Sequence, residues 1–123
     1  MKNNIIQARS FAFSLQLIEM YKQMIEQREY VLSRQLLRSG TSIGANIEEA
    51  IAGQSKRDFL SKMTIALKEC RETHYWLRLL SHSQLLKLDF NKLLKECEEL
   101  LNILSAIVKT TRGNLKIADS ANS

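Results

Sequence analysis

The sequence predicts an all-α protein, an antiparallel up-and-down four-helix bundle. The chain of 123 residues contains no proline and only four glycines, so little in it interrupts a helix. Apolar residues recur at alternating steps of three and four along four successive segments, which is the spacing of one helix face. Four amphipathic helices joined by short connections pack most simply as an up-and-down bundle.

The periodicity places four helices near residues 4–27, 30–52, 56–81 and 90–112. They form a single domain, residues 1–113. Ser55 and Asp89 precede the third and fourth helices as N-caps, because their side-chain oxygens can accept a backbone N–H. The boundary after the first helix has neither glycine nor proline and is poorly marked. We expect Gly113 to end the last helix and residues 114–123 to be a polar tail that is frayed or disordered.

The most unusual helix face lies in the second helix, between Leu32 and Ala50. Its centre holds small or polar residues, among them Gly40 and Gly44, where a core helix would carry large apolar ones. Glycine inside a helix costs about 1 kcal/mol relative to alanine. Two glycines this close together therefore suggest the close approach of another helix. The alternative is a weak helix that tertiary packing alone holds in place.

The first helix carries two neighbouring apolar stripes. One consists of Ala8, Phe11, Leu15, Ile18 and Ile25. The other consists of Phe13, Leu17, Met20 and Met24. A helix at the edge of a monomeric bundle needs one apolar stripe of roughly 100°, so the surplus indicates either a wide core face or a contact with another subunit, with equal weight. We assign the second stripe, with the aromatic pair Tyr75 and Trp76, to a subunit interface.

Six polar residues of the second and third helices are expected to form a structural network where the two helices meet. They are Arg38, Ser42, Asn46, Glu49, Glu69 and Glu72. The planar guanidinium of Arg38 suits a carboxylate, so it can pair with Glu69 or Glu72. If such a network were buried, Arg38→Ala would cost about 3–5 kcal/mol of stability. The alternative is a ligand pocket, but no catalytic geometry emerges from these residues.

The sequence contains no motif that points to an enzyme, a metal site or a cofactor. A di-metal site in a helical bundle needs Glu-x-x-His pairs, whereas Glu69 is followed three residues later by Glu72. The segment 39–44 superficially resembles a phosphate loop but lacks the Gly-x-x-x-x-Gly-Lys spacing. Cys70 and Cys97 lie far apart in a pattern typical of reduced thiols. We therefore expect a non-enzymatic protein with no catalytic residues, no metal and no cofactor.

The sequence also predicts a cytoplasmic protein. Its N-terminus lacks the apolar run of a signal peptide. No apolar run approaches the ~20 residues that a membrane-spanning helix needs. We therefore expect no membrane partner.

A net charge of +5 permits binding to polyanions without demanding it. The basic residues best placed for nucleic acid are Lys56, Arg57 and Lys62 at the start of the third helix, and Arg112 and Lys116 at the end of the chain. In a monomer this signal is weak, since solvated helix faces also carry lysine and arginine. A symmetric oligomer would repeat each basic patch, and phosphate contacts add.

Three segments of the chain resemble a known protein family. They are residues 35–50 (QLLRSGTSIGANIEEA), the pair Asp58-Phe59, and residues 66–80 (ALKECRETHYWLRLL). The likeness extends over nearly the whole chain, from about Ile6 to Thr111, and the motif is long and specific. On these residues the chain resembles the bacterial four-helix-bundle family of 23S rRNA intervening-sequence (S23-like) proteins.

The resemblance implies a small up-and-down bundle that commonly assembles as a homopentamer. Related to the family is the accessory variability protein of diversity-generating retroelements, which binds a reverse transcriptase and RNA. We therefore expect a non-enzymatic oligomeric module that binds RNA or a nucleic-acid-handling protein such as a reverse transcriptase. The alternative is a structural or protein-scaffolding oligomer with no nucleic-acid partner.

Overall fold

A computed structural model describes the backbone of residues 2–121 and the side chains of residues 5–121. The described chain forms four helices: α1 Lys2–Glu26, α2 Leu32–Ile51, α3 Lys56–Ser83 and α4 Asn91–Ala121. Between residues 2 and 121 there is no strand. Each helix packs against its neighbours along the chain, and α1 also packs against α4, which closes the bundle. The prediction of an all-α four-helix bundle is confirmed.

The core runs along the bundle axis and receives one apolar stripe from every helix. Its largest fully buried side chains include Phe13 on α1, Ile43 on α2 and Leu77 on α3. Phe90, directly before α4, and Leu100, within α4, are also fully buried. Full burial of such a side chain is worth about 1.5–3 kcal/mol. This common core fixes which face of each helix points inward and therefore which side chains remain for a functional surface.

The close approach of helices expected in α2 occurs at Gly40. A Cβ atom on Gly40 would overlap Cδ1 of Leu17 on α1 and would lie 3.6 Å from Cγ2 of Thr73 on α3. A Cβ atom on Gly44 would make ordinary contacts, the nearest at 3.5 Å from Oγ of Ser10. Gly40 is thus the position where α2 sits tightly between its two neighbours.

The turn between α1 and α2 is closed without glycine. Arg28 adopts a left-handed backbone with φ of 64°. Its N–H donates to the carbonyl of Ile25 at 2.8 Å, and the N–H of Glu29 donates to the carbonyl of Met24 at 3.0 Å. These two bonds are the Schellman pattern, which satisfies the last carbonyls of a helix. This turn ends α1 at Glu26.

Glu29 then caps the N-terminus of α2. Its carboxylate accepts the backbone N–H groups of Val31 at 3.1 Å, Leu32 at 2.9 Å and Ser33 at 2.6 Å. The first N–H groups of a helix lack partners inside the helix, so this carboxylate satisfies them. Burial raises the pKa of Glu29, but the hydrogen bonds from Leu32, Ser33 and Val31 outweigh burial and hold the pKa below its ordinary value.

We expect Glu29→Gln to lower the free energy of unfolding at neutral pH by about 1 kcal/mol, the usual worth of a helix cap. Because the folded-state pKa lies below the unfolded value near 4.5, the carboxylate stabilises fully above that pH, and its contribution is lost as pH falls through the folded-state pKa. Urea unfolding of both proteins at pH 7 and pH 3 measures this, with Glu26→Gln as the control. If Glu29→Gln lowered the free energy of unfolding equally at pH 7 and pH 3, the expected role of the carboxylate would be contradicted.

The caps expected for α3 and α4 are both formed. The hydroxyl of Ser55 accepts the N–H of Asp58 at 3.1 Å. The carboxylate of Asp89 accepts the N–H of Asn91 at 2.9 Å. These side chains set where the third and fourth helices begin.

The last helix is longer than predicted. Gly113 does not end α4, which continues to Ala121, so the expectation of a frayed or disordered tail is wrong for residues 114–121. A single glycine costs a helix only about 1 kcal/mol, and the segment that follows contains no proline. Asp119 of the extension also pairs with Arg57 of α3 at 2.5 Å. Residues 122–123 lie outside the described range.

Candidate nucleic-acid interface

Four basic side chains line a cleft between α3 and α4. They are Arg71 on α3 and Lys109, Arg112 and Lys116 on α4. We call this site the basic cleft; its volume is about 390 Å³. On α4 the cations follow one another by three and then four residues, so they share one face of the helix.

The positive charge of the basic cleft is not compensated locally. Among the side chains of residues 5–121, none of the four cations lies within ion-pair distance of a carboxylate. The buried side chains of Leu67 and Val108 form the apolar floor of the cleft. Gly113 lies in its wall and adds no side chain, which keeps the cleft open. A site of this kind attracts anions, because its field is not cancelled by neighbouring carboxylates.

The structure brings together two of the five residues predicted to bind nucleic acid. Arg112 and Lys116 lie in the basic cleft, where Arg71 and Lys109 join them. The spacing of Lys109 from Arg112 and Lys116 could have identified it in the sequence, had the last helix been extended past residue 112. Arg71 could not be identified in this way, because it belongs to another helix and reaches the cleft only through tertiary packing.

The other three predicted residues lie elsewhere, and two of them pair with carboxylates. Arg57 pairs with Asp119. Lys62 lies 3.3 Å from a carboxylate oxygen of Glu49. Lys56 lines a different opening, along α4. The start of α3 is therefore a less favourable phosphate site than the sequence indicated.

The polar network around Arg38 is present in part, but it is not buried. Nη1 of Arg38 lies 3.3 Å from a carboxylate oxygen of Glu69, and Nη2 pairs with Glu72. The indole N–H of Trp76 donates to the same carboxylate of Glu72 at 3.3 Å. The side chain of Arg38 is 50% exposed, so the expectation of a buried network is wrong.

The remaining members of the predicted network act separately. The amide of Asn46 donates to the carbonyl of Ser42 at 2.8 Å and to its hydroxyl at 3.0 Å, both within α2. Glu49 pairs with Lys62 rather than with Arg38. The six residues therefore form three separate groups of contacts, two of them between α2 and α3, instead of one continuous network.

Because the Arg38 pairs are exposed, we expect Arg38→Ala to cost about 1 kcal/mol or less, in place of the 3–5 kcal/mol expected for a buried charge. Urea unfolding of the variant measures this, and Arg34→Ala, one turn earlier on α2, is the matched control. A loss above about 3 kcal/mol would instead indicate the buried network of the sequence-based hypothesis.

The stripe of α1 that was assigned to a subunit interface belongs to the core. Phe13 and Met24 are 0% exposed and Leu17 is 1% exposed. Met20 is partly buried against the same cluster. The assignment to an interface is therefore wrong for Phe13, Leu17 and Met24, which hold α1 in its own bundle.

The opposite face of α1 carries the uncovered apolar residues. We call this face the outer stripe; it consists of Ile5, Ala8, Phe11, Ala12, Leu15 and Ile18, all exposed. Phe11 is 62% exposed and Leu15 is 52% exposed. Tyr75 on α3 is also exposed, and its ring meets Trp76 edge to face at 5.2 Å between centroids. Two stripes of similar hydrophobicity lie on one helix, and only tertiary packing shows which one is inside.

The two cysteines face each other inside the bundle. The Sγ atoms of Cys70 and Cys97 are 3.9 Å apart, and each thiol lies 3.6 Å from the other residue's carbonyl oxygen. The hydrogen bond with Cys70 and burial both raise the pKa of the Cys97 thiol, which stays protonated at neutral pH. A protonated, buried thiol is neither a good nucleophile nor a good metal ligand.

The described residues offer neither a metal site nor a membrane-spanning helix. Within residues 5–121 there is no group of three or more His, Cys, Asp or Glu side chains that could hold a metal ion. No helix in the described part of the chain has the length and hydrophobicity needed to cross a membrane. The basic cleft is thus the site with the clearest chemical character.

Comparison with known proteins agrees with this architecture. A solved structure of a protein with unknown function from the S23 ribosomal protein family of Bacteroides thetaiotaomicron VPI-5482 is 42% identical, with a TM-score of 0.83. The alignment covers 89% of this chain and 99% of that one. No match is found among curated proteins. The family model described as "23S rRNA-intervening sequence protein" matches residues 2–106. The chain therefore belongs to the 23S rRNA intervening-sequence protein family.

Proposed function

We propose that this protein is a non-enzymatic, oligomeric helical-bundle module that binds RNA through the basic cleft. The observation that carries this proposal is the group of four cations around one opening, with no ion pair to any carboxylate of residues 5–121. Arginine and lysine bind phosphate oxygens and release condensed counterions, which drives association. The family description refers to an intervening sequence of 23S rRNA, which supports RNA as the polyanion.

The form of the basic cleft suits a sugar–phosphate backbone rather than a base. Lys109 and Lys116 are separated by about 10 Å along the helix, so the cluster can contact more than one phosphate of a strand. Its lining contains no aromatic side chain on which a base could stack. Phosphate contacts position a nucleic acid but carry no sequence information. We therefore expect binding with little sequence preference.

Assembly would strengthen this weak site. Exposed apolar patches mark interaction surfaces, and the outer stripe is the longest apolar face left open on α1. The family resemblance implies a homopentamer, which would repeat the basic cleft five times. Because the salt dependence grows with each phosphate contacted, several weak clefts on one strand give an appreciable affinity.

The test is the salt dependence of binding to a fluorescent single-stranded RNA, followed by anisotropy. For the wild-type protein, the logarithm of the affinity should fall linearly with the logarithm of salt concentration. Replacing all four cations of the basic cleft by glutamine should flatten the slope by about 2–3 for each cleft engaged, at roughly 0.7 per phosphate contact. Circular dichroism and light scattering of the variant show that fold and assembly are retained.

The matched control removes three cations at the start of α3: Lys56→Gln, Arg57→Gln and Lys62→Gln. It changes the net charge by a similar amount but leaves the basic cleft intact, so most of the slope should remain. If this control loses binding and the cleft variant keeps it, RNA binds at the start of α3 and the assignment to the basic cleft is refuted.

The second candidate function is a protein scaffold with no nucleic-acid partner. The outer stripe favours it, since an apolar face on α1 binds protein rather than phosphate. The same face could receive a reverse transcriptase, the protein partner that the resemblance implies. An oligomer that shows no affinity for RNA even at low salt would establish this second candidate.

A further inference from the structure

A second opening, separate from the basic cleft, lies along α4, between the start of α3 and Ile5 of α1. We call it the apolar groove; its volume is about 600 Å³. Its walls are mostly apolar and include Ile5 of α1, Phe59 of α3, and Ile103, Ala106 and Ile107 of α4. Lys56 supplies a cation at the groove.

We propose that the outer stripe of α1 from a second copy of this chain occupies the apolar groove. This inference rests on the assembly in the proposed function and names the two surfaces that meet. The stripe, from Ile5 to Ile18, is about 20 Å long, and the α4 wall of the groove, from Ile103 to Asn114, is about 17 Å long. A helix face and a groove of matched length can bury each other, as amphipathic helices do in apolar grooves.

One carboxylate beside the outer stripe and one cation at the apolar groove could pair across the contact. Glu19 is an exposed carboxylate directly after the stripe, and its pair with Lys22 at 3.1 Å is between two exposed side chains. Such a pair contributes little and is readily exchanged. Lys56 at the groove has no ion-pair partner among the side chains of residues 5–121. A stripe seated in the groove can therefore bring a carboxylate toward an uncompensated cation.

The two surfaces also adjoin each other, and burial of both favours this mode of contact over a contact between two stripes. Ile5 belongs to both the outer stripe and the wall of the apolar groove. If two copies met stripe against stripe, the groove would remain open to water. If the stripe of one copy enters the groove of the next, both apolar surfaces are removed from water, which is the more favourable outcome.

The experiment uses one variant for each surface. Leu15→Glu places a charge in the outer stripe and Ala106→Glu places one in the apolar groove; both side chains are exposed, so the core is unaffected. Light scattering after size-exclusion chromatography should give an oligomer for the wild type and a monomer for each variant. An equimolar mixture should give a species of two chains, because the intact stripe of the Ala106→Glu protein can enter the intact groove of the Leu15→Glu protein.

Leu85→Glu is the matched control, since Leu85 is 58% exposed in the connection between α3 and α4, at the other end of the bundle. It should assemble as the wild type does. The inference is overturned if Ala106→Glu assembles normally while Leu15→Glu does not, or if the mixture of monomers gives no two-chain species. If the wild-type protein were a monomer, both this inference and the assembly in the proposed function would be refuted. RNA binding at the basic cleft is measured separately, because neither variant touches that site.

Discussion

Phe13→Ala is expected to lower the free energy of unfolding by about 3–5 kcal/mol. Phe13 is 0% exposed and is among the largest fully buried side chains of the bundle. Removing its ring loses the transfer free energy of the buried atoms and leaves a cavity that the rigid helices around it fill only in part. Urea unfolding followed by circular dichroism measures the loss, which should be independent of protein concentration because Phe13 contacts its own bundle.

Phe11→Ala is the matched control, with the same change two residues earlier on the same helix. Phe11 is 62% exposed, so at low protein concentration its loss should change stability by less than about 0.5 kcal/mol. At high concentration the variant should be less stable than the wild type, since subunit contacts stabilise only the assembled state. Equal losses for the two variants at low concentration would show that α1 is packed differently.

The fold could be predicted because apolar residues recur at helical spacing in all four segments, although the two stripes of α1 leave its inner face undecided. The boundary between α1 and α2 was predicted to within two residues. The way this turn is closed could not be predicted, since it depends on residues outside the usual signals. Arg28 takes the left-handed position that glycine normally occupies. Glu29 caps α2 in place of the serine, threonine, aspartate or asparagine that most often does so. Both are exceptions that only the folded backbone reveals.

The candidate site was predicted in part, and one misplaced helix end explains most of the difference. Once α4 continues beyond Gly113, Lys109 and Lys116 share a face with Arg112, and Asp119 reaches Arg57. The shared face of the three cations forms the α4 side of the basic cleft, and the pair between Asp119 and Arg57 partly neutralises the start of α3. Gly113 is a weak stop signal, because one glycine costs a helix only about 1 kcal/mol and no proline follows it.

The identical change from glycine to alanine is expected to have opposite effects at Gly40 and Gly113. Alanine in place of helical glycine favours the helix by about 1 kcal/mol when the new methyl group has room. At Gly113 a Cβ atom would meet no heavy atom within 4 Å. Gly113→Ala should therefore raise the free energy of unfolding by about 0.5–1 kcal/mol.

At Gly40 the new Cβ atom would overlap Cδ1 of Leu17, which is 1% exposed, so the Leu17 side chain would have to shift within the core. Overpacking of a well-packed core costs about 1–3 kcal/mol, which exceeds the gain in helix propensity. We expect Gly40→Ala to be destabilising, and the two variants to differ by about 2–3 kcal/mol in urea unfolding. If Gly40→Ala proved as stabilising as Gly113→Ala, Leu17 would have to move freely, and the close approach of α1 and α2 at this position would not constrain the bundle.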